Sequence, residues 1–399
     1  MNDPLRVQFS GPLARHAPDF RAELVARGYT PGSAAPLLQV AAQLSRWMQA
    51  RDLNVADLTA ERVREFFAQR RAKGLKCHIS PRALGWLTER LAAEDLLPVP
   101  DPTPMSSRDE LLARYRRYLM QERGLAEGTT TRYLTVARRF LAASPPDEHV
   151  GGVSAAAALA FVTAECAGKS TGWAGCVTVA VRSFLRFLHL DGLIAGPLAQ
   201  AVLMPAQWRL SALPNATEPE AVAALLASCD PGTIAGRRGY AVLVVLARLG
   251  LRAGEVAALQ LSDVGWRDGT LRVRGKGSRV DVLPLPADVG QAIGDYVRGG
   301  RPRQADGALF RRIGAPHGEL EGCAVTNIVY RACDRAGLPR AGAHRLRHAT
   351  ATAMLNGGAS LPQIAQVLRH TDLSTTAIYA KADRQALGML ARPWPGGAA

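Results

Sequence analysis

Six residues in the second half of the chain combine side-chain types that could act on a phosphate ester: Arg252, Lys276, His344, Arg347, His370 and Tyr379. Arginine and lysine can offset charge on phosphate oxygens, histidine can bind or transfer a proton, and tyrosine can serve as a nucleophile. A lone tyrosine near the end of a chain is usually a core residue. The interpretation of Tyr379 as a nucleophile therefore depends on its five partners.

The order and spacing of these residues add to their chemistry. His344 and Arg347 form a His-x-x-Arg motif, and His370 precedes Tyr379 by nine positions. This arrangement resembles the tyrosine recombinase, or phage integrase, family, whose pattern is Arg, Lys, His-x-x-Arg, His or Trp, then Tyr. The resemblance covers roughly residues 217–390, and each position of the pattern is filled here.

The resemblance implies a site-specific DNA recombinase or integrase that works through a 3′-phosphotyrosyl intermediate, without metal or ATP. Tyr379 would be the nucleophile. Arg252 and Arg347 would bind nonbridging phosphate oxygens with their planar guanidinium groups, which lysine cannot imitate. Lys276 would protonate the leaving 5′-oxygen.

The two histidines would complete this set. His344 is a candidate acid/base partner for the tyrosine proton, and His370 is expected to donate a hydrogen bond to a phosphate oxygen. Glu255 would lie one helical turn from Arg252 and could orient it or the nearby hairpin. Alternatives without a part in catalysis remain, since Glu255 could be a solvated helix charge and the arginines could form surface salt bridges.

A zinc site is the competing interpretation of the histidines. His344 and His348 are four positions apart, as in the HExxH motif of metalloproteases. However, Arg345 occupies the position of the glutamate base, and Arg347 beside a dication would be unfavourable. Since the chain also lacks a GxxxxGK[ST] motif, no metal and no cofactor is predicted.

The charge of the chain favours a polyanionic partner. The formal net charge is +15, and residues 1–100, 101–205 and 206–399 contribute +4, +2 and +9. The six cysteines include no CxxC pair, so neither a zinc ribbon nor a disulfide framework is indicated. Without an apolar leader or a long apolar run, we predict a cytoplasmic protein. The family resemblance implies that its polyanionic partner is double-stranded DNA with specific recombination sites.

Proline-rich stretches divide the chain into three predicted domains: residues 1–97, 106–205 and 206–399. The first two resemble diverged copies of one helical unit, offset by about 96 residues. Helices are predicted in them at Ala35–Ala50, Val63–Arg71 after an N-cap near Thr59, Thr130–Ala143 and Ala155–Cys166. By resemblance, residues 106–205 form the core-binding domain. Residues 1–97 could be a second copy of it, an arm-site DNA binder or an oligomerisation module.

The third block mixes two periodicities. Thr270–Arg274 and Arg279–Leu283 alternate as the strands of a hairpin with Lys276 at its tip. Apolar spacing predicts helices at Leu243–Leu249, Val325–Ala336, His344–Leu355, Leu361–Leu368 and Thr375–Ala380. The predicted fold class is therefore mainly α with a small antiparallel β-sheet in the catalytic domain.

Alternative functions share this chemistry or fold. A noncatalytic DNA-binding module on the same fold is disfavoured by the complete residue set, whereas a type IB topoisomerase shares the chemistry. The two helical blocks at residues 1–97 and 106–205 favour recombination of a mobile element, and the resemblance implies a homo-tetramer on DNA.

Overall fold

The computed structural model describes residues 5–98, 106–143, 150–206, 218–275, 279–302, 307–369 and Thr376. The chain divides into two compact units, one made of residues 1–98 and 212–399 and the other of residues 99–211. Each of the three predicted blocks contains its own large cluster of buried apolar side chains. The boundaries of the three domains themselves stay a prediction.

The first block is helical. Its helices are α1 (Ala17–Ala26), α2 (Pro31–Gln49), α3 (Ala60–Ala72) and α4 (Gly85–Ala93). The predicted N-cap is confirmed, because the hydroxyl of Thr59 accepts a hydrogen bond from the main-chain N–H of Arg62 at 3.2 Å. Helix α2 begins four residues before the predicted start, since Pro31 suits the first turn of a helix.

The second block is also helical. It contains α5 (Ser107–Arg117), which continues into a π-helical turn at Tyr118–Glu122, followed by α6 (Glu127–Ala143), α7 (Ala155–Cys166) and α8 (Thr171–Leu190). The bounds predicted for α7 are confirmed, and its N-cap Ser154 accepts from Ala157 N at 3.1 Å. Helices α2 and α6 begin about 96 residues apart, which is the spacing of the predicted repeat.

The third block opens with α9 (Pro219–Ala227), α10 (Ile234–Leu249) and the short α11 (Ala253–Ala257). Strands β1 (Val264–Gly265), β2 (Thr270–Arg274) and β3 (Val280–Pro284) form an antiparallel sheet in that order. Leu271 and Val273 are buried while Arg272 and Arg274 are exposed, because successive side chains of a strand point to opposite faces. The predicted hairpin is therefore confirmed.

Four helices complete the described part of this block: α12 (Ala287–Gly299), α13 (Gly322–Arg335), α14 (Ala343–Asn356) and α15 (Leu361–Leu368). Helix α10 packs against α12, α13 and α14, and its residues 241–246 are all buried. The helix predicted at Thr375–Ala380 lies outside the described residues, apart from Thr376. Within the described residues, none of the helices combines the length and apolar character needed to cross a membrane.

Candidate active site

Arg252 is positioned by the turn between α10 and α11. Gly250 ends α10 in the left-handed conformation, with φ +59°, and the chain reverses so that Arg252 becomes the N-cap residue of α11. Glu255 then accepts from the main-chain N–H of Arg252 at 2.8 Å and from its Nη1 at 2.7 Å. The Glu255 side chain is 6% exposed, whereas that of Arg252 is 45% exposed. Of the two alternatives, Glu255 orients Arg252 and is not a solvated helix charge.

Arg347 ties three segments of the third block together. It projects from α14 and is buried, with Nη1 donating to the carbonyl of Gly250 at 2.5 Å and Nη2 donating to the carbonyl of Leu368. One arginine thus holds the end of α10 beside the end of α15. Because Gly250 is two residues before Arg252, the two arginines lie in the same region of the molecule.

The histidines of α14 lie beside these arginines. The rings of His344 and His348 meet edge to face with their centroids 4.4 Å apart. Although His344 is exposed, desolvation lowers its pKa, and the charges of Arg347 and Arg252 lower it further. Desolvation, His344 and Arg347 lower the pKa of His348 to about 4. Both rings are therefore neutral at pH 7.

A cavity of about 560 Å³ lies beside Arg252. Its walls come from α11, the hairpin and the residue after α15: Arg252, Gly254, Glu255, Arg274, Gly275, Arg279, Asp281 and Arg369. Four arginines face two carboxylates, which leaves the lining positively charged. Such a cavity suits an anionic group such as a phosphodiester.

Sequence reasoning missed four of the charged residues in this lining. Arg274 is held by both oxygens of the buried Asp263, at 2.6 and 2.8 Å, while Arg279 binds Asp281 at 2.9 Å. A signal existed for these two arginines, since they flank the predicted hairpin tip. Arg369 gave no such signal, because its partners Glu255 and Asp281 are distant in sequence, and the contact of Asp281 with Arg369 was equally hidden.

The structure brings together Arg252, His344 and Arg347 among the predicted site residues. Lys276, His370 and Tyr379 lie outside the described residues. In sequence, however, Lys276 lies between Gly275 and Arg279, which both line the cavity, and His370 directly follows Arg369, which lines it as well.

The chain resembles known proteins in sequence and in fold. Residues 215–386 match the phage integrase family. A protein of Sinorhizobium fredii named as an integrase/recombinase, y4rA, is 38% identical over 393 residues, which cover 97% of this chain and 95% of that protein. The chain belongs to the phage integrase family. The predicted activity class, a tyrosine-type site-specific DNA recombinase, is confirmed with it.

Relatives beyond y4rA align over shorter stretches. A second Sinorhizobium fredii integrase/recombinase, y4rF, is 34% identical over 78% of this chain and 75% of its own length. The tyrosine recombinase XerC of Bifidobacterium longum is 33% identical over 158 residues, which are 37% of this chain and 44% of that protein.

Solved structures share the fold of this integrase. A lambda integrase fragment, solved as a dimer bound to a core site, superposes with a TM-score of 0.53 at 17% identity, over 72% of this chain and 98% of that one. The recombinase XerH, solved with its palindromic difH substrate, gives 0.52 at 18% identity, over 82% of this chain and 93% of that one. The predicted fold class is confirmed.

Proposed function

We propose that this integrase cleaves and rejoins double-stranded DNA at specific recombination sites through a 3′-phosphotyrosyl link to Tyr379. The observation that supports this proposal most directly is the convergence of Arg252, Arg347 and His344 beside an arginine-lined cavity. In sequence, Lys276 lies between the lining residues Gly275 and Arg279, and His370 follows the lining residue Arg369.

The proposed reaction balances without a cofactor. The Tyr379 oxygen attacks phosphorus as its proton leaves, and the bond between phosphorus and the 5′-oxygen breaks. Lys276 supplies the proton that the leaving 5′-oxygen takes up. Because the phosphotyrosyl ester conserves the energy of the original bond, a 5′-hydroxyl can attack it in the reverse sense and rejoin a strand.

The two arginines are proposed to offset the charge of the pentacoordinate phosphorus. Arg252 is suited to contact nonbridging oxygens because its half-exposed guanidinium lines the cavity and Glu255 orients it. Arg347 is suited to supply a second fixed cation, since two main-chain carbonyls hold its terminal nitrogens.

Histidine roles follow from protonation. Because the pKa of His344 is below its ordinary value, its ring is neutral at pH 7 and can accept the proton of Tyr379. His370 is proposed to donate a hydrogen bond to a phosphate oxygen, as the family resemblance implies.

The partners of this function are proposed from the relatives. The solved lambda integrase and XerH structures contain DNA sites, and an integrase of the Tn1549 transposon shares the fold with a TM-score of 0.51 at 17% identity. We infer a mobile-element integrase that forms a homo-tetramer on two DNA duplexes. Acting on bacterial DNA, it would work in the cytoplasm at the nucleoid.

A nicked suicide substrate tests the proposal. The substrate should carry the DNA ends that flank the element encoding this chain, so that a cleaved strand cannot be rejoined. Wild-type protein is expected to give a covalent protein–DNA band on a denaturing gel, and Tyr379→Phe is expected to give none. Tyr240→Phe is the matched control, because Tyr240 is an exposed residue of α10 and does not line the cavity.

The outcomes of this test separate the candidate functions. A band that depends on Tyr379 supports the proposal, and joined products from two duplexes distinguish recombination from relaxation of supercoils by a single protomer. Binding of the substrate by wild-type protein without any covalent band would indicate a noncatalytic DNA-binding module.

A further inference from the structure

Arg369 adopts a backbone conformation that usually belongs to glycine. It is the first residue after α15 and has φ +57°, with its N–H donating to the carbonyl of Gln366 at 3.0 Å. In this left-handed region a Cβ is close to the following carbonyl oxygen, so a side chain is unfavourable there. The chain nevertheless carries an arginine at this turn.

The guanidinium of Arg369 is buried between two carboxylates. Its side chain is 4% exposed, Nη2 donates to Oε2 of Glu255 at 2.7 Å, and Nε faces Oδ2 of Asp281 at 3.8 Å. Glu255 belongs to α11, whereas Asp281 belongs to β3. Arg369 therefore connects the end of α15 to two other elements that line the cavity.

These contacts belong to a longer chain of alternating charges. Glu255 also binds Arg252 through Oε1, and Asp281 also binds Arg279 through Oδ1 at 2.9 Å. The series runs Arg252, Glu255, Arg369, Asp281, Arg279. It begins at the arginine proposed to bind phosphate and ends at Arg279, beside the tip of the hairpin and three residues after Lys276 in sequence.

The charge of Arg369 also affects Glu255. Burial alone would raise the pKa of Glu255, but the main-chain N–H of Arg252 and the charge of Arg369 bring it below its ordinary value. Glu255 thus stays ionised and can orient Arg252. Because Glu255 also pairs with Arg369, its carboxylate offsets the charge of Arg252 less than an unshared carboxylate would.

We propose that Arg369 is a positioning residue for strand cleavage, which holds Glu255 and Asp281 so that Arg252 and the tip end of the hairpin at Arg279 keep one arrangement around the scissile phosphate. The inference rests on the proposed function. It assigns Arg369 no contact with DNA, and it adds a role to the residue directly before His370.

The variant Arg369→Gly distinguishes the effect of losing the side chain from the effect of backbone strain. Glycine adopts the φ of +57° without strain, so any loss of activity reports the missing guanidinium. We expect the variant to bind the nicked substrate like wild type and to form the covalent complex about 10- to 100-fold more slowly in a single turnover. Asp52→Gly is the matched control, because Asp52 has φ +58° on the exposed surface of the first block.

Two further variants test position against fold. Arg369→Lys keeps a positive charge on the same turn but lacks the planar guanidinium that can reach two carboxylates. Its cleavage rate should therefore lie between those of Arg369→Gly and wild type. Glu255→Gln breaks the same ion pair from the other end. Because the proposal makes Arg369 act through Glu255, the double variant should cleave about as slowly as the slower of the two single variants, whereas two independent structural defects would accumulate.

The possible results are distinct. If wild type and Arg369→Gly cleave equally fast, or if the losses of Arg369→Gly and Glu255→Gln accumulate in the double variant, the inference is wrong while the proposed function stands. If Arg369→Gly loses thermal stability, the comparison of Arg369→Lys with wild type decides, and equal cleavage rates overturn the inference. If wild type forms no covalent complex on its own DNA ends, both proposals fail.

Discussion

His348 provides a pH-dependent contribution to the stability of the third block. Its pKa is about 4 in the folded chain, against an ordinary value of 6.5. Since the unfolded chain binds a proton first as the pH falls, this contribution is complete above pH 6.5 and is lost progressively toward pH 4. Its upper limit is about 3 kcal/mol, and partial solvent access of the ring reduces it.

His348→Gln should flatten this dependence. We expect the free energy of unfolding of wild type to fall more steeply than that of the variant as the pH decreases from 7 toward 5. Urea unfolding of both proteins at several pH values measures the difference. Parallel curves would show that His348 has an ordinary pKa in the folded chain.

At the scale of residues, the sequence identified side chains by type and spacing but not their long-range partners. His344 and Arg347 were predicted from the His-x-x-Arg motif of the family resemblance, and three positions along α14 place them on neighbouring turns. Arg369 stands next to the predicted His370, yet its partner Glu255 is 114 positions away. Sequence spacing could not predict this ion pair, because only the fold brings the end of α15 beside α11.

At the scale of elements, the junction of α10 and α11 depends on Gly250. A Cβ at Gly250 would lie 2.7 Å from Cδ2 of Leu368, in addition to the strain of φ +59°. The Gly250 carbonyl also accepts from Arg347. The junction therefore has no space for a side chain at Gly250, the residue whose carbonyl holds Arg347 next to Arg252.

Gly250→Ala should destabilise the third block by about 1–3 kcal/mol, because it adds a steric overlap to an unfavourable φ. Gly269→Ala is the matched control, since Gly269 also has φ +59° but a Cβ there would have no atom of the described residues within 4 Å. Chemical denaturation of the two variants and wild type measures both costs. Equal losses would show that Leu368 moves aside freely and that only the backbone matters.

The predicted elements were accurate where a clear boundary residue coincided with apolar periodicity. The bounds of α7 and α15 are confirmed, whereas α10 begins nine residues before the predicted Leu243. Gly236, Arg237, Arg238 and Gly239 interrupt its apolar pattern. Gly236 is needed there for close packing, because a Cβ at that position would lie 1.8 Å from the carbonyl oxygen of Asp230.

At the scale of the whole molecule, the first block carries a cluster of exposed basic residues. Between Phe66 and Thr88 this block contains no acidic residue, and Arg71, Lys73, Lys76 and Arg82 are exposed there. Arg71 also donates to the carbonyl of Ile79 at 3.0 Å, which holds the segment after α3 against the helix end. A basic surface of this kind fits the phosphates of DNA outside the cleavage site.

We therefore expect the triple variant Arg71→Ala, Lys73→Ala, Lys76→Ala to bind DNA more weakly and with less dependence on salt. Each lost phosphate contact should reduce the slope of log K against log salt by about 0.9. Titration of a long duplex between low and moderate salt measures that slope. Wild-type affinity that did not weaken with salt would contradict phosphate binding altogether.

A second triple variant controls for the change in net charge. Arg248, Arg298 and Arg340 are exposed and each pairs with a carboxylate, of Asp288, Asp295 and Asp334 respectively. Changing these three to alanine removes the same charge from the third block, at positions where the positive charge is already balanced. If both triple variants lower the slope equally, net charge explains the effect and the first block does not contact DNA. If only the first lowers it, that block holds DNA alongside the catalytic domain, which favours a DNA-binding role over a purely oligomerising one.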